Sequence, residues 1–313
     1  MGKSKDVFAY KMTSPSSIIL VALSLFPLMF IFYYSFTDYY FLAKTQPKFI
    51  GFENFNKIIE DTYFRQAIYN TVKFTVLAVA FETVLGLVMA LFINSIKRGK
   101  RIIRTLVLLP TLLPPVTVAL VWQIMFSNNY GIINEILNKF GLSSINWLMD
   151  VKTAFYAILT IDIWQYAPFV FLLIYAALQS VPQGQYEAAK IDGANIWHRF
   201  LYITIPNISK VTGMVVLLRT IDTFRLFDKV NILTKGGPAN STATITQYIY
   251  QYGVKGLKVG YGSAASLIMT LIVLCLAIFY IRQAFKKENI ISNVDYKKIK
   301  EETNLKVSNP IEA

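Results

Sequence analysis

Charged residues, cysteine and histidine are scarce in this sequence. Only 16% of its 313 residues are charged, against about 25% in soluble domains, and it contains one cysteine and one histidine. With Cys275 alone, the chain can form neither an intrachain disulfide nor a thiol-rich metal site. His198 has no second histidine with which to build a zinc site, and we expect it to be exposed or interfacial on a helix. These counts predict that the chain holds no metal ion.

Catalytic sequence motifs are also missing. The chain has no Gly-x-x-x-x-Gly-Lys-Ser/Thr segment, so it does not bind ATP through a P-loop. The run Gly236-Gly237-Pro238 is too short to cradle a phosphate and is typical of a turn. No Ser-His-Asp set stands out either. We expect a chain without catalytic residues or a cofactor of its own, which draws any energy it uses from another subunit.

Long apolar runs are what the sequence has instead. It is 55% hydrophobic and 15% aromatic, and six runs suit the roughly 20 residues that a bilayer-spanning helix needs. The sequence predicts an all-α membrane protein with six spans. They cover Ile18–Phe36, Thr71–Ile96, Ile102–Phe126, Ala154–Leu178, Val211–Val230 and Tyr261–Ile281.

The first and third runs carry features of their own. A basic start followed by an apolar run also suits a signal peptide, but the run at 18–36 is long, aromatic at its far end and without a small-residue cleavage pattern. We expect a retained span there. Pro110, Pro114 and Pro115 lie in the third run, where the loss of backbone donors predicts a kink.

The distribution of lysine and arginine predicts the orientation. The side with both termini and the segment 180–210 carries twice as many of these residues as the other side, and cytoplasmic loops are enriched in them. We expect a multi-pass protein of the cell (inner or cytoplasmic) membrane, with a cytoplasmic segment 1–15, a transmembrane domain 16–287 and a cytoplasmic tail 288–313. The formal charge of +13 does not suggest nucleic acid, because the basic residues form no continuous stripe.

One long polar segment, Tyr186–Pro206, interrupts the apolar runs without the features of a folded domain. Its pattern predicts two short helices, Gln185–Ile191 and Ile196–Ile203. Asp192-Gly193 would form the turn between them, because glycine tolerates a positive φ. Asn195 can cap the second helix, and Pro206 is expected to end it. An ordinary amphipathic linker is the alternative interpretation.

The spacing of residues in this segment resembles a known signature. Glu187-Ala188-Ala189, Gly193 after three residues, and then Ile203-x-Ile205-Pro206 resemble the EAA signature of permease subunits in binding-protein-dependent ABC importers. Ile205 stands where that signature usually has leucine. Three further sequence segments resemble the carbohydrate-uptake branch of this family, and within it the first of the two maltose-type permeases. These segments are Phe49–Phe55, Trp164 to Pro168, and Phe227–Pro238. The resemblance covers roughly residues 14–287.

The resemblance implies an assembly and a coupling site. It implies the six-helix fold of type I ABC importer permeases, a heterodimer with a second permease, two ATP-binding subunits that hold ATP and magnesium, and an extracellular or periplasmic solute-binding protein. The residues implied to contact the ATPase are Glu187, Ala188, Ala189, Asp192 and Gly193. The two alanines would allow close packing, and the segment Glu187–Gly193 would be the coupling helix.

The resemblance also implies a solute pathway in the middle of the membrane. The implied residues are Gln165, Tyr166, Phe169, Arg219, Thr223 and Leu226. Independently, Asp162, Gln165, Tyr166 and Phe169 share one helix face at a spacing of three and four residues. This face mixes hydrogen-bonding groups with aromatic surface, as a sugar requires. The alternative is a polar contact between helices with ordinary aromatic packing.

Charges of alternating sign mark the fifth span at a spacing of three residues, at Arg219, Asp222, Arg225 and Asp228. A charged residue near a span centre costs about 2.5–3.5 kcal/mol on insertion scales, so this helix cannot face lipid on all sides. The charges could pair along the helix as a ladder, or face the pathway with Arg219 and Thr223 reaching the solute. Glu82, deep in the second span, is expected to pair helices rather than to bind solute.

Two other classes of function remain open from the residues alone. A secondary transporter would need no loop for an ATPase and more often shows inverted repeats, which the sequence does not show. A membrane channel or scaffold would account for the spans but not for the spacing of the signature.

Overall fold

The computed structural model describes residues 2–43 and 45–282, with side chains from Met12 onward, and the predicted tail 288–313 lies outside these ranges. Throughout the described ranges the regular elements are helices, with one isolated bridge between Thr37 and Phe49. The helices are α1 Gly2–Ser35, α2 Glu53–Glu60, α3 Thr62–Ser95, α4 Lys100–Leu112, α5 Pro115–Met125, α6 Ile132–Lys139, α7 Ala154–Gln179, α8 Gln183–Ile191, α9 Ile196–Arg199, α10 Ile205–Phe224, α11 Asp228–Leu233, α12 Ile245–Ile249 and α13 Val259–Arg282. The predicted all-α class is confirmed.

Five helical segments in the described part of the chain are long and apolar enough to cross a membrane, and a sixth if α4 and α5 together count as one broken span. The third predicted span is therefore not one kinked helix. The helix α4 ends at Leu112, Leu113 is extended (φ −78°, ψ 138°), and α5 begins at Pro115. Neither Pro114 nor Pro115 has an N–H with which to continue α4, so the chain breaks there instead of bending.

The described residues fall into two compact units. The first unit consists of Met1–Phe74, Pro115–Ile158 and Arg225–Leu271. Buried asparagines join its segments: the Asn54 amide donates to the Ser35 and Thr37 carbonyls, and the Asn70 amide donates to the Asn240 and Ala243 carbonyls. Through these bonds, the two asparagine side chains supply hydrogen-bond donors to backbone carbonyls at and beyond the ends of helices.

A tyrosine and an aspartate anchor the same unit outside the predicted spans. The Tyr248 hydroxyl lies 2.7 Å from Asp61 Oδ2 and 2.7 Å from the Tyr261 hydroxyl. Burial of the ring, together with the bond to Asp61, raises the pKa of Tyr248, so its hydroxyl stays protonated and donates to the carboxylate. The short helix α12 is thereby attached to the start of α3.

Among the described residues, the second unit consists of Thr75–Pro114, Leu159–Phe224 and 272–282. Its core includes Phe171, Ile174 and Ile208. Gly86 on α3 lies directly against α7, where an added Cβ would come within 2.7 Å of Val170 Cγ1. Only glycine permits this approach, so α3 and α7 can pack closely enough to bring their polar side chains together.

The first helix exposes an apolar surface. In the apolar window of Met12–Ser35 no residue is buried within the chain, and Leu23, Phe26 and Met29 are at least two thirds exposed. Such a surface is stable in lipid or against another subunit rather than in water. This helix is long and apolar enough to cross a membrane, and its retention in the protein stays a prediction.

Candidate functional site

The polar segment after α7 forms two short helices with a sharp turn, as expected. The helix α8 ends in a Schellman motif, in which the Ala194 N–H donates to the Ala189 carbonyl at 2.8 Å and the Gly193 N–H donates to the Lys190 carbonyl at 3.1 Å. Gly193 has φ +75°, the left-handed conformation that the motif requires. The Asp192-Gly193 pair is the turn that the sequence predicts.

The second helix of this segment differs from the prediction. Asn195 caps it as expected, with its Oδ1 accepting from the His198 N–H at 2.8 Å, and His198 is exposed. However, α9 ends at Arg199, a π-helical turn follows at Phe200–Thr204, and α10 runs through Pro206. Pro206 does not end the helix, because in the first turn of α10 its missing N–H leaves no bond unmade.

Side-chain hydrogen bonds attach the segment to the start of α10. The Tyr186 hydroxyl on α8 lies 3.0 Å from Thr204 Oγ1, and the Asn207 amide donates to Gln185 Oε1 at 2.9 Å. Tyr186 is half-buried, and Thr204 is buried. These bonds connect α8 directly to the residues at the start of α10.

The tip of the segment presents apolar side chains beside the signature residues. Ile191, Ile196 and Trp197 are 87%, 74% and 71% exposed. Of the residues implied to contact an ATPase, Glu187, Ala188, Asp192 and Gly193 are exposed, and Ala189 is half-buried. Exposed aliphatic and aromatic side chains around a small, rigid turn are typical of a surface that another protein covers.

A second polar arrangement, which we name the charge cluster, lies inside the second unit and consists of Glu82, Asp162, Tyr166, Arg219, Asp222 and Thr223. Arg219 on α10 makes a bidentate pair with Glu82 on α3, with Nε to Oε2 at 2.8 Å and Nη2 to Oε1 at 2.9 Å. Arg219 Nη2 also donates to Asp162 on α7 at 3.4 Å and to Thr223 at 3.2 Å. Its Nη1 donates to Asp222. The arginine thus joins three helices.

The charged groups at the centre of this cluster are buried. Arg219, Glu82 and Asp162 are 2%, 0% and 1% exposed, whereas the Asp222 side chain is 61% exposed. The Tyr166 ring covers the guanidinium at 4.0 Å from its centroid, a cation–π contact. A buried charge without partners is far more costly than a paired one, so the cluster favours the arrangement in which α3, α7 and α10 meet. Glu82 pairs helices, as expected.

The ion-pair ladder along the fifth span, one of the two alternatives for its charges, does not extend beyond Asp222. The helix α10 ends at Phe224, and α11 begins at Asp228 after an irregular stretch. Residues three apart face one another only while the helix continues. Arg225 and Asp228 are exposed, and the ladder is replaced by contacts from Arg219 to α3 and α7.

The structure brings together only part of the predicted solute pathway. Tyr166, Arg219 and Thr223 meet in the charge cluster, and Phe169 is half-buried on α7. Gln165 is 1% exposed and donates from Nε2 to the Leu113 carbonyl at 2.9 Å, in the break after α4. Leu226 belongs to the first unit, where its carbonyl accepts from Thr244 Oγ1 at 2.9 Å.

Sequence reasoning missed the partners of Arg219. It considered Asp222 as a neighbour along the helix, and it placed Asp162 on the pathway face and Glu82 at a helix contact without joining them. The available signal was energetic: ionisable residues inside apolar spans face the interior and pair with one another. Of the carboxylates available in the spans, Glu82 and Asp162 are the two that lie inside apolar stretches distant from Arg219 in sequence.

The similarity of this chain to known proteins extends over both of the sites described above. The family described as the binding-protein-dependent transport system inner membrane component matches residues 82–288, which include both the signature segment and the charge cluster. The chain belongs to this family. It is an integral membrane permease, and the ABC importer permease predicted from the EAA signature is confirmed.

Curated relatives cover nearly the whole chain. The chain is 36% identical over 273 residues to the trehalose/maltose transport system permease protein MalF of Thermococcus litoralis, covering 87% of this chain and 92% of the relative. It is 31% identical over 289 residues to the arabinooligosaccharides transport system permease protein AraP of Halalkalibacterium halodurans, covering 91% and 90%.

A solved structure shares the fold. A chain of the bacterial alginate ABC transporter, crystallised in complex with an alginate pentasaccharide-bound periplasmic protein, matches with a TM-score of 0.78 and 25% identity, over 88% of this chain and 93% of that chain. The predicted type I importer permease architecture agrees with this match.

Proposed function

We propose that the chain is one permease subunit of an ATP-driven importer that takes up a sugar or oligosaccharide. The names of the permeases that it matches over most of their length, for trehalose/maltose and for arabinooligosaccharides, support the class of solute. The complete transporter would contain a second, similar permease, two ATP-binding subunits and an external solute-binding protein. Both termini and the signature segment would lie in the cytoplasm, where the ATPase is.

The observation that carries the proposal is the rigid, exposed turn between α8 and α9. We propose that Glu187–Gly193 seats in a groove of the ATPase, with Ala188 and Ala189 allowing close packing and the exposed Ile191 and Trp197 adding apolar contact. This chain would take no part in the hydrolysis and would bind no cofactor; ATP and magnesium would be held by the ATPase subunits.

Two side-chain hydrogen bonds and the helix α10 would connect the proposed ATPase contact to the interior of the membrane. The bonds from Tyr186 to Thr204 and from Asn207 to Gln185 attach α8 to the start of α10. The helix α10 then continues for 20 residues, about 30 Å at 1.5 Å per residue, and carries Arg219 near its far end. Closure of the ATPase pair would move α8, shift α10 as a unit and re-arrange the three helices that Arg219 joins, which is an alternating-access step.

The solute would meet α7 rather than the guanidinium. Arg219 is surrounded by three carboxylates, a hydroxyl and an aromatic ring, so we propose that it positions the helices. Gln165 Oε1 is buried without a hydrogen-bond partner among the described residues, and it would accept a bond from a sugar hydroxyl once re-arrangement of the helices exposes it. Tyr166 and Phe169, one and four residues further on, would supply flat apolar faces for the ring.

The assembly is tested by purifying the tagged chain after co-expression with its neighbouring subunits. An ATP-binding subunit is expected to co-purify with the wild-type chain and to be lost when Ile191 and Trp197 are both changed to serine, because the docking surface loses its apolar contacts. In reconstituted vesicles, uptake should require ATP. Uptake driven by an ion gradient without ATP, or passive flux, would instead establish a secondary transporter or a channel.

Cysteine labelling tests the orientation. Ser180 and Ser143 are both exposed serines, and they are predicted to lie on opposite sides of the membrane. In a background with Cys275 replaced by serine, Ser143→Cys should react with an impermeant thiol reagent on intact cells, and Ser180→Cys should react only after permeabilisation. Asn56→Cys provides a second external position, because Asn56 is also exposed. Labelling of Ser180→Cys on intact cells would contradict the proposed orientation.

A further inference from the structure

A large open cavity lies in the first unit, and none of the residues that line it belongs to the charge cluster or to the signature segment. Its volume is about 890 Å³, within the range of ligand sites. The end of α5, the loops on either side of α6, and the glycine-rich turn after α11 form its walls. These loops are the ones that the lysine and arginine distribution places outside the cell.

A buried asparagine organises one wall of this cavity. Asn134 on α6 is 2% exposed, and its Oδ1 accepts from the Ile145 N–H at 3.1 Å and from the Trp147 indole N–H at 3.0 Å. Its amide nitrogen donates to the Ile145 carbonyl at 3.0 Å. The Trp147 ring then packs on Phe126, with 5.3 Å between ring centroids. The loop is therefore held in one conformation before any ligand arrives, which lowers the entropic cost of binding.

The side chains of the cavity wall suit an uncharged, hydroxyl-rich ligand. Of the described residues that line the cavity, none is charged. The side-chain amides of Gln123, Asn128 and Asn146 are exposed at its surface and offer both donors and acceptors. The half-buried Trp147 and the exposed Tyr130 add aromatic surface. Amides for hydroxyls and rings for flat apolar faces are what a sugar needs.

A second cavity among the described residues provides a contrast. It measures about 620 Å³ and is lined by Asp38, Glu53, Lys57 and Lys258 together with tyrosines. Glu53 and Lys57 pair with each other at 2.6 Å, but a neutral ligand bound there would still have to desolvate charged groups, which costs free energy. The uncharged cavity is the better match for a neutral saccharide.

We propose that the uncharged cavity is an external receiving site for a neutral oligosaccharide, which holds the sugar by amide hydrogen bonds and aromatic contacts before it enters the membrane pathway. This inference rests on the proposed function, since it assumes that the cavity faces the side where a binding protein releases sugar. The site would raise the local concentration of sugar at the entrance and would not itself move.

The test measures sugar binding to the complete transporter in lipid nanodiscs without its binding protein. The probes are maltotriose, trehalose and arabinotriose, observed by saturation-transfer difference NMR. At least one should bind to the wild-type complex, and its affinity should fall about tenfold in the double variant Gln123→Ala/Asn146→Ala, because two hydrogen-bonding groups are lost. Both side chains are exposed, so folding should be unaffected. The matched control is Asn56→Ala, an exposed asparagine on α2 outside the cavity.

Two outcomes would overturn the proposal. The first is that no probe binds to the wild-type complex. The second is that the wild-type and double-variant complexes bind the probe equally; if the double variant also loses stimulation by the binding protein, the cavity receives the binding protein instead. Wild-type uptake separates the two proposals: if ATP drives no sugar uptake, the proposed function fails, whereas normal uptake with unchanged sugar binding in the double variant removes only the receiving site.

Discussion

Arg219→Leu is expected to prevent assembly of a stable complex. The substitution leaves Glu82 and Asp162, which are 0% and 1% exposed, without their shared cation. Removing one partner of a buried ion pair costs about 3–5 kcal/mol, a large part of the roughly 5–15 kcal/mol by which most proteins are stable. The measurement is the yield and the thermal unfolding midpoint of the detergent-purified complex, followed by size-exclusion chromatography.

The matched control is Arg225→Leu. Arg225 belongs to the same alternation of charges in the sequence, but it lies beyond the end of α10 and is exposed, so its loss should leave the unfolding midpoint close to that of the wild type. Arg219→Lys should be intermediate, because an ammonium keeps the charge but cannot make the bidentate pair with Glu82. If Arg219→Leu assembles normally and only solute uptake falls, Arg219 belongs to the solute pathway rather than to the helix contact.

Periodic and compositional signals predicted most of the helical architecture. Apolar runs of bilayer length leave little choice of secondary structure, because every backbone polar group must be satisfied within the segment. The start of α7 at Ala154 agrees with the prediction, and its end at Gln179 differs by one residue. The turn in the signature segment could also be predicted from the sequence, because it depends only on local residues. It requires a glycine that can adopt a positive φ at the end of a short helix.

Prolines were harder to interpret from sequence, because their effect depends on where a helix begins. The three prolines of the third predicted span indicated a kink, yet the chain breaks completely at Leu113. At Pro206 the error was the opposite: a predicted stop is tolerated in the first turn of α10, which begins one residue earlier. A neighbouring element contributes only at the break, where the Gln165 amide donates to the Leu113 carbonyl.

The charge cluster could not be assembled from spacing at all. The alternation of charges from Arg219 to Asp228 suggested pairing along one helix, whereas Arg219 pairs with Glu82, 137 positions away in sequence, and with Asp162, 57 positions away. A period of three residues describes neighbours on one helix and carries no information about which other helix lies opposite. The close approach of α3 and α7 at Gly86 is likewise a tertiary fact.

Gly193→Val is expected to uncouple ATP hydrolysis from transport while the chain still inserts and assembles in the membrane. Gly193 has φ +75°, and a left-handed backbone costs a residue with a Cβ roughly 1–2 kcal/mol, with a β-branched side chain among the least suited. No atom lies within 4 Å of an added Cβ, so the cost is conformational rather than steric. To relieve it, the chain must give up the bonds from Gly193 and Ala194 that end α8, and the turn loses its fixed shape.

The consequence should appear in function more than in stability, because the strained position is exposed at the tip of the segment and the buried contacts of α10 are untouched. Gly184→Val is the matched control: Gly184 lies in the first turn of the same helix, has no positive φ, and would also meet no atom within 4 Å of its Cβ. The measurements are uptake and binding-protein-stimulated ATP hydrolysis in proteoliposomes. For Gly193→Val both should fall about tenfold or more, because 1.4 kcal/mol lost from a docking equilibrium is a factor of ten. For Gly184→Val both should stay near the wild-type values. Equal activity of the two variants would show that the shape of this turn does not govern coupling, and the ATPase contact would then have to rest on the apolar side chains of Ile191, Ile196 and Trp197 alone.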